Sequence, residues 1–404
     1  LDTVRRQQAF AHLRDETLRL LYLAPERLQG EATQRMLENH AESGRLVALA
    51  VDEAHCISAW GHDFRPDYRR LGLIRRLCPG VPMLALSATA APRVRADIIR
   101  LLALRSPLVQ VSSARRDNLH YAMQRRPRDP MPQVLEALAL SQGASLIYAR
   151  TRRSVERWAE RLQEQDVDAT PYHAGLDPET RQLALKRFLE QKRPVLVATV
   201  AFGMGVDRGD VRLVLHLDLP ATPEGYLQES GRAGRDGLSA HCLVLFSPGD
   251  RTSLGWAMQA SARKKGANDD QRRLDLAQQQ LRRMEAVAEG EICREQALLL
   301  AVGELVEPCG RCDRCSGTAK RRDWSTQAET LLSHLQDLDG TDMRRLGEHL
   351  SLNESGRGDR WTWLARRLVQ EELISESNDG VQRLYLRDSG RRFLDAPWPL
   401  DYAA

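Results

Sequence analysis

The sequence predicts an α/β protein with two parallel-sheet domains, followed by a helical segment that carries cysteines and a small C-terminal domain. Three observations support this. Short apolar runs alternate with helical patterns up to about residue 247, four of the seven cysteines cluster, and helical patterns precede a hairpin signal near the end. Alternating strands and helices favour parallel sheets. We place the four domains at residues 1–114, 115–250, 251–322 and 323–404.

The first domain is predicted to contain a few buried strands and to be truncated at its start. Apolar runs at Leu18–Leu23, Leu46–Val51 and Met83–Leu86 fit strands of a parallel sheet. Too few strands precede Asp52 for a complete doubly wound domain. Ser106–Asn118 has no clear helical period, and we interpret it as the link to the second domain.

The second domain repeats the alternation of strands and helices. A helix after Thr151 would place Val155, Trp158 and Leu162 on one face. Four strands are predicted, at Ser145–Tyr148, Val195–Ala198, Leu213–Leu217 and Cys242–Phe246.

The C-terminal third is predicted to be mainly helical. From Pro248 to about Gly317 the pattern is polar and rich in Gln and Arg. A capping box, Thr326 with Glu329, then precedes a helix. Further helices fit Met343–Leu350 and Trp361–Leu373, and a hairpin turn signal lies at Asn378–Gly380. Three helices and a hairpin suggest a winged helix.

The length, the apolar content and the net charge of the chain limit its possible functions only broadly. The 404 residues are too many for one core. No apolar stretch approaches the roughly 20 residues of a membrane span, and no signal peptide is visible, so we expect a cytoplasmic protein without membrane partners. The net charge of +4 permits nucleic-acid binding without strongly favouring it.

The strongest chemical signal is Asp52-Glu53-Ala54-His55, directly after the second predicted strand. Open α/β sheets bind ligands at this end of their strands. Asp52 suits Mg²⁺ held through water, and Glu53 suits polarisation of an attacking water. The alternative is an acidic strand end without chemistry. The partner motif Gly-x-x-x-x-Gly-Lys-Ser/Thr is absent from these residues, and none of the five lysines follows a glycine.

Two further strand ends carry residues that suit phosphate chemistry. Ser87 and Thr89 follow the next apolar run and suit a relay between a phosphate site and a second domain, although such residues equally begin loops. In the block 198–207, glycines permit close approach of a ligand. There Asp207 suits a hydrogen bond to ribose or to an arginine, and Thr199 suits a DNA phosphate.

Two arginines and one aromatic loop complete the pattern. Arg232 and Arg235 lie three residues apart between glycines, as expected of guanidinium groups that approach a γ-phosphate; a solvated basic helix start is the alternative. Trp60, Phe64 and Arg65 share one loop and suit base stacking with phosphate contact. Packing of the two aromatic rings within the loop is the alternative.

Four cysteines have the spacing of a metal site. Fifteen residues separate Cys293 from Cys309, and two residues each separate Cys309, Cys312 and Cys315. In a reducing compartment this spacing favours a metal over disulfides. Four thiolates suit a closed, structural Zn²⁺ site, with an iron–sulfur cluster as the rival and buried free thiols as a minor alternative.

Taken together, these motifs resemble the RecQ family of superfamily 2 DNA helicases, over nearly the whole chain and in the same order. The residues that carry the resemblance are Tyr22–Leu28, Asp52–His55, Trp60–Pro66, Ala85–Ala90, Leu146–Arg152, Tyr172–Leu176, 198–207, 226–237 and the four cysteines.

The resemblance implies two RecA-like domains that close on ATP and step 3′ to 5′ along DNA in repair and recombination. Catalysis is assigned to Glu53, Asp52, His55, Arg232 and Arg235. The ATP and Mg²⁺ site is assigned to Asp52, Ser87, Thr89, Gly205, Asp207, Gln228, Arg232 and Arg235. DNA contacts are assigned to Trp60, His62, Phe64, Arg65, His173, Thr199, Arg366 and Arg367.

The resemblance also implies partners and a location. Single-stranded and branched or duplex DNA are the expected substrates, a single-strand-binding protein is a further candidate partner, and a structural Zn²⁺ accompanies ATP and Mg²⁺. We expect a monomer that works in the cytoplasm in association with the nucleoid.

The sequence departs from the family pattern in several places. Ser87 replaces the usual Thr, and Ala149 replaces a common Cys. By this resemblance, we expect the adenine-reading Q motif, the P-loop and motif Ia to lie before Leu1, and we expect the optional HRDC domain to be missing. We therefore hypothesise a fragment or a mis-started version of a RecQ helicase, with little ATPase activity alone. The alternatives are a non-catalytic DNA-binding protein that uses the zinc and winged-helix domains, and an RNA helicase.

Overall fold

The computed structural model describes residues 8, 11–13, 15, 17–60, 64–200, 202, 207–265, 269–317, 321–352, 358–377 and 381–403. The chain divides into two compact units, 1–112 and 113–404. The further domain boundaries at 250 and 322 remain predictions. Within the ranges given above, no helix combines the length and the apolar character needed to cross a membrane.

From Leu18 onward, the described residues of the first unit form two short parallel strands and three α-helices. The strands are β1 (Leu49–Val51) and β2 (Met83–Ala85), and the helices are α1 (Glu31–Glu42), α2 (Ile74–Leu77) and α3 (Pro92–Leu101). Three 3₁₀ helices join them, at Pro25–Gln29, Ala54–Ile57 and Pro66–Leu73. Leu49 lies opposite Met83 and Val51 opposite Ala85. The core of this unit is formed by residues that include Leu37, Ile57, Leu71, Ile98 and Leu102.

The predicted strand at Leu18–Leu23 is wrong for this structure. The segment has no regular secondary structure and belongs to neither strand of the sheet, and Tyr22 is 86% exposed. A strand requires the backbone groups of a neighbour to pair with its own. Among the described residues of this unit, only β1 and β2 pair, and they pair with each other. The apolar run therefore lacks the partner that would make it a strand.

The second unit is built around a six-stranded, wholly parallel sheet. Its strands are β3 (Leu119–Arg125), β4 (Ala144–Tyr148), β5 (Ala169–Tyr172), β6 (Val195–Ala198), β7 (Val211–His216) and β8 (Ala240–Phe246). They lie in the order β3-β8-β7-β4-β6-β5. All four predicted strands are therefore confirmed, with ends shifted by up to two residues.

Helices cover both faces of this sheet, as parallel sheets require. They are α4 (Met131–Leu140), α5 (Arg152–Gln163), α6 (Pro178–Glu190) and α7 (Pro223–Ser230). The predicted helix after Thr151 is confirmed. Its first turn is capped because the Thr151 hydroxyl accepts the Ser154 N–H at 3.1 Å. Val155 and Leu162 are fully buried, in one core cluster with Ile147 from the centre of the sheet.

The C-terminal part of this unit is mainly helical. Its helices are α8 (Pro248–Lys265), α9 (Asp269–Glu289), α10 (Arg294–Ala301), α11 (Asp313–Ser316), α12 (Ser325–Asp337), α13 (Met343–Leu352), α14 (Gly358–Gln370) and α15 (Asp388–Asp395). Its strands are β9 (Arg321–Asp323), β10 (Thr341–Asp342), β11 (Ile374–Glu376), β12 (Arg383–Leu386) and β13 (Asp401–Ala403). Strand β12 pairs antiparallel with β10 and β11, and β9 with β13.

The hairpin prediction is confirmed in its strands, whereas the predicted turn at Asn378–Gly380 lies outside the described residues. The capping box is wrong. Helix α12 begins at Ser325, so Thr326 lies inside it. The Asp323 carboxylate instead accepts the Ser325 N–H at 2.9 Å, because a carboxylate two residues upstream can reach the first free amide. The winged-helix assignment remains a prediction.

The glycine-rich segment 231–238 is fixed by two side chains from the start of β3. Gly234 has a φ of +52°, and a Cβ there would lie 2.5 Å from Asn118 Nδ2 and 2.7 Å from the Leu238 carbonyl oxygen. Arg116 Nη2 donates to the Gly234 carbonyl at 2.7 Å, and Asn118 Nδ2 donates to the same oxygen at 2.8 Å. Glycine is therefore required at 234 by backbone conformation and by close packing.

Replacing Arg116 with alanine should loosen this segment locally. The change removes charge-assisted hydrogen bonds to backbone carbonyls, each worth about 1.5–3 kcal/mol. We expect the amides of Gly234 and Gly237 to exchange with solvent roughly 10-fold faster or more, because exchange follows local opening. Hydrogen exchange followed by mass spectrometry would measure this.

Arg115→Ala is the matched control. The Arg115 side chain bonds to the exposed Asp117 at 2.8 Å, and no bond links it to the glycine-rich segment among the contacts of the described residues. Equal protection of segment 231–238 in both variants and the unmodified protein would contradict the assigned role of Arg116.

Candidate nucleotide, DNA and metal sites

The predicted acidic loop follows β1 directly. Val51 ends the strand, and Glu53 adopts a left-handed conformation with φ 48° and ψ 41°. The Glu53 N–H donates to Asp52 Oδ1 at 2.9 Å. A non-glycine residue in this region is strained by about 1–3 kcal/mol, and such residues cluster at functional sites. This left-handed conformation turns the chain sharply at the carboxyl end of β1. Asp52 is exposed there.

A hydrogen-bond chain links this loop to the next strand end. His55 is buried, and its Nδ1 lies 3.0 Å from Ser87 Oγ and 3.3 Å from Glu53 Oε2. Ser87 Oγ donates to the Thr89 carbonyl oxygen at 3.0 Å. Strand β2 brings Ser87 here because Ala54 N–H donates to the Leu86 carbonyl at 2.8 Å. Ser87 therefore joins the acidic loop to its neighbour, as a relay requires.

Tyr68 is a neighbour of this loop that the sequence did not indicate. Burial raises the pKa of Tyr68. Cys56 raises this pKa further, as do the carboxylates of Glu53 and Asp52, whereas Arg65 lowers it. The phenol therefore stays protonated and able to donate beside the two carboxylates.

The aromatic loop contributes to packing in the first unit. Trp60 is half-buried against the core cluster, and the Arg93 guanidinium carbon lies 3.1 Å from its ring centroid. Arg69 lies 5.0 Å from the centroid of Phe64. Arg65 N–H donates to the Cys56 carbonyl at 3.0 Å. His62 lies outside the described residues. DNA contact by Trp60, Phe64 and Arg65 remains a prediction beside this packing.

The two predicted finger arginines share one small cleft in the second unit. Arg232 and Arg235 line this cleft together with Arg208, and its space including the open mouth is about 230 Å³. Arg235 Nη1 lies 2.9 Å from Asp207 Oδ1, and Asp207 is 86% exposed. Of the two roles that the sequence left open for Asp207, this geometry realises the bond to an arginine. Gly205 lies outside the described residues.

Arg232 is half-buried and interacts with the buried Tyr148. Burial raises the pKa of Tyr148, and the positive charge of Arg232 opposes this rise. Tyr148 Oη donates to the Phe202 carbonyl at 3.2 Å. Tyr148 therefore supports the arginine and the loop after β6 at once, a role that the apolar strand pattern did not reveal.

The remaining predicted residues of the second unit are held within the fold. Thr199 and Gln228 are half-buried. His173 is 3% exposed; its Nε2 lies 3.0 Å from Glu156 Oε1 and its Nδ1 accepts the Gly175 N–H at 3.2 Å. Both ring nitrogens thus have internal partners, which fits a positioning role better than direct contact with DNA.

The assignment of Arg366 and Arg367 to DNA contact requires correction. Both are buried, with 6% and 5% of their surface exposed. Arg366 Nε lies 3.0 Å from Glu289 Oε2, and Arg367 Nη2 lies 3.5 Å from Glu291 Oε1. Each arginine faces a glutamate at or just after the end of α9, so the pair holds α14 against that end instead of a DNA backbone.

The four clustered cysteines form a site that fits one tetrahedral ion. Their Sγ atoms all lie within 4.8 Å of one another. The Cys293–Cys312 and Cys309–Cys315 separations are 3.9 and 4.0 Å. Zn–S bonds of about 2.3 Å in a tetrahedron give S···S separations near 3.8 Å. This spacing leaves room for a single ion and too little for the iron–sulfur rival.

Backbone amides and neighbouring arginines support the cysteine site. Arg294 N–H points at Cys312 Sγ (3.4 Å) and Cys309 N–H at Cys293 Sγ (3.2 Å). Such donors favour the thiolate form that a metal requires. Arg311, between the second and third cysteines, donates to the Leu119 and Arg116 carbonyls at 3.1 and 3.0 Å. The site is thus attached to the first strand of the six-stranded sheet.

Comparison with protein families gives three consecutive matches. Residues 1–98 match the family described as DEAD/DEAH box helicase. Residues 130–237 match the helicase conserved C-terminal domain, and residues 248–316 match the RecQ zinc-binding family. The third match contains all four cysteines of the cluster.

Individual relatives agree with these matches. The chain is 37% identical to the ATP-dependent DNA helicase RecQ of Pasteurella multocida, over 98% of this chain and 65% of that protein. It is 33% identical to the protein of the same name from Haemophilus influenzae, over 99% of this chain and 66% of the relative. The chain thus spans slightly less than two thirds of the length of these relatives. On these matches and on the cysteine site, the chain belongs to the RecQ family of helicases.

Proposed function

We propose that this chain supplies the hydrolytic loop, the arginine pair and the zinc-supported DNA-binding part of an ATP-dependent 3′-to-5′ DNA helicase of repair and recombination. The observation that best supports it is the acidic loop, in which Glu53 is strained beside Asp52 and linked through His55 to Ser87. A purely DNA-binding protein has no use for that arrangement.

The side chains of the acidic loop suit ATP hydrolysis assisted by Mg²⁺. Asp52 is exposed and has one carboxylate oxygen bonded to the Glu53 N–H, so its other oxygen suits a water in the coordination shell of Mg²⁺. Glu53 would accept the proton of the attacking water. His55 and Ser87 would hold the Glu53 carboxylate in place.

The arginines suit the charge that develops on the transferred phosphoryl group. Arg235 is 38% exposed and pairs with an exposed carboxylate. Such a pair is worth little in water, so phosphate oxygens can replace Asp207 as the partner of Arg235. Arg232 lies deeper in the same cleft and would act from a fixed position.

The wider proposal concerns substrates and setting. DNA contacts would come from Trp60, Phe64, Arg65 and Thr199, and from a winged helix formed by the C-terminal part. Single-stranded and branched DNA would be the substrates, with a single-strand-binding protein as partner. The protein would act as a cytoplasmic monomer associated with the nucleoid.

Glu53→Gln should abolish hydrolysis, because the amide cannot accept the proton of the attacking water. We expect turnover to fall by about 100-fold or more, the size of a general-base contribution. ATP hydrolysis would be measured with and without single-stranded DNA, on the 404-residue chain and on the same chain extended at its N-terminus by a P-loop segment. We expect little turnover from the first protein and DNA-stimulated turnover from the second.

Glu42→Gln, at an exposed glutamate of the first unit, is the control and should keep full turnover. Stimulation by RNA strands equal to that by matched DNA strands would favour the RNA-helicase alternative. DNA binding without turnover in the extended protein would favour the non-catalytic alternative and refute the proposed motor.

Cys312→Ser should remove the metal and destabilise the second unit. The Cys312 side chain is buried, its Sγ lies 3.9 Å from Cys293 Sγ, and the residue is the N-cap of α11. We expect zinc affinity to fall by more than about 100-fold, because losing a direct ligand costs more than losing an outer-shell partner of a ligand. We also expect the unfolding temperature to fall, because structural zinc contributes to folding. Metal analysis and thermal unfolding would measure both.

Cys78→Ala is the control, since Cys78 is buried in the core of the first unit and lies outside the cluster. This variant should lose stability through packing alone and keep its zinc. Unchanged metal content in Cys312→Ser would rule out the assigned ligand set.

A further inference from the structure

A second cleft of the second unit shares no lining residue with the arginine cleft or with the cysteine site. It is lined by helices α8 and α9 and by residues in and around strands β11 and β12, and encloses about 420 Å³ including its open mouth. Its walls combine one aromatic ring, one carboxylate, two guanidinium groups and several amides, beside the almost fully buried Leu281. They include Gly255, Trp256, Gln259, Gln278, Glu376 and Gln382.

Trp256 provides a flat apolar surface in this otherwise polar cleft. The residue lies in the middle of α8 and is 61% exposed. Tryptophan is highly buried on average, so an indole left open at a polar cleft indicates a partner. Every base has a π-face, and aromatic side chains that bind single strands use stacking on that face.

Glu376 provides a hydrogen-bond acceptor that the protein leaves unused. Its side chain is only 2% exposed, and its Oε1 is bonded to Arg251, which also pairs with Glu285 at 2.9 Å. Its Oε2 has no hydrogen-bond partner among the described residues. A buried acceptor without a donor is unfavourable, so a ligand that brings an N–H group would satisfy it.

Gly255 keeps the cleft open. A glycine within a helix is less stable there than alanine, yet a Cβ built at Gly255 meets nothing within 4 Å. No steric or conformational need for glycine is therefore visible at this position. The missing side chain instead leaves space beside Trp256.

We propose that this cleft receives one unpaired nucleobase that carries an exocyclic amino group. The base stacks on Trp256, and its amino group donates to Glu376 Oε2. Adenine, cytosine and guanine carry such a group, and thymine does not. The amides of Gln259, Gln278 and Gln382 both donate and accept, which suits the remaining polar edge of a base. The inference rests on the proposed function, because strand separation supplies unpaired bases.

The test uses the zinc-loaded 404-residue chain and a duplex with one unpaired 2-aminopurine, a fluorescent base with an amino group. Stacking on an indole quenches its emission. We expect quenching with the unmodified protein and loss of quenching with Trp256→Ala. Trp256→Phe keeps an aromatic face and should retain the affinity for the oligonucleotide. Binding of oligo-dC and oligo-dA should weaken about 5- to 100-fold in Trp256→Ala, the range of one lost stacking contact. Oligo-dT binding should change less.

Gly255→Leu provides a second variant that fills the cleft without a clash at Cβ. It should block quenching while leaving the unfolding temperature unchanged or higher. Trp398→Ala, at another exposed tryptophan of the same unit, should behave as the unmodified protein does.

The outcomes separate this inference from the proposed function. Absence of any DNA binding by the unmodified chain would overturn both. DNA binding that is unchanged in Trp256→Ala and Gly255→Leu would overturn the base site alone. Unchanged DNA binding with altered self-association in these variants would assign the cleft to a protein contact and equally overturn the inference.

Discussion

The arrangement of the second unit depends on one chain of arginine contacts. Arg311 lies between two cysteines of the metal site and donates to the Arg116 carbonyl at 3.0 Å. The Arg116 side chain in turn donates to the Gly234 carbonyl at 2.7 Å, one residue before Arg235. The cysteine site and the predicted finger arginine are thus separated by two hydrogen bonds. A metal that fixes the cysteines also fixes, through these bonds, the loop that carries Arg235.

The C-terminal region that contains α14 and β11 is attached to the rest of the second unit by ion pairs as well as by apolar contacts. Arg251 with Glu376, Arg366 with Glu289 and Arg367 with Glu291 form three ion pairs between it and the helices before the cysteines. Burial raises the pKa of Glu285, and the neighbouring Arg251 opposes that rise. Buried pairs add little net stability relative to apolar residues, but removing one partner is costly. These ion pairs therefore determine where the C-terminal region docks more than they add to the free energy of its docking.

The sequence predicted most of what periodicity can encode and missed what depends on distant partners. Four of the six strands of the parallel sheet were predicted correctly because each is a largely apolar run, as at Val195–Ala198. Strands β3 and β5 mix polar with apolar residues and were not predicted. Leu18–Leu23 is similarly apolar apart from Arg19, yet no strand among the described residues pairs with it. Arg366 and Arg367 were expected at DNA because the family resemblance implied that the helix at Trp361–Leu373 grips duplex DNA. Their burial follows from glutamates about 75 residues earlier, which no local pattern reveals.

The candidate site shows the same division between local and distant causes. The four cysteines were identified from their spacing in the sequence alone. Their sulfur separations match those around a tetrahedral ion. For the glycine-rich segment, the sequence suggested glycines that allow a ligand to approach, whereas the structure shows Gly234 packed against Asn118 and the Leu238 carbonyl. The two explanations apply to different surfaces of one loop. Its inner surface needs glycine to fit against β3, and that fit leaves Arg235 on the outer surface beside Asp207. The position of Arg235 is therefore set by packing contacts between residues that take no part in catalysis.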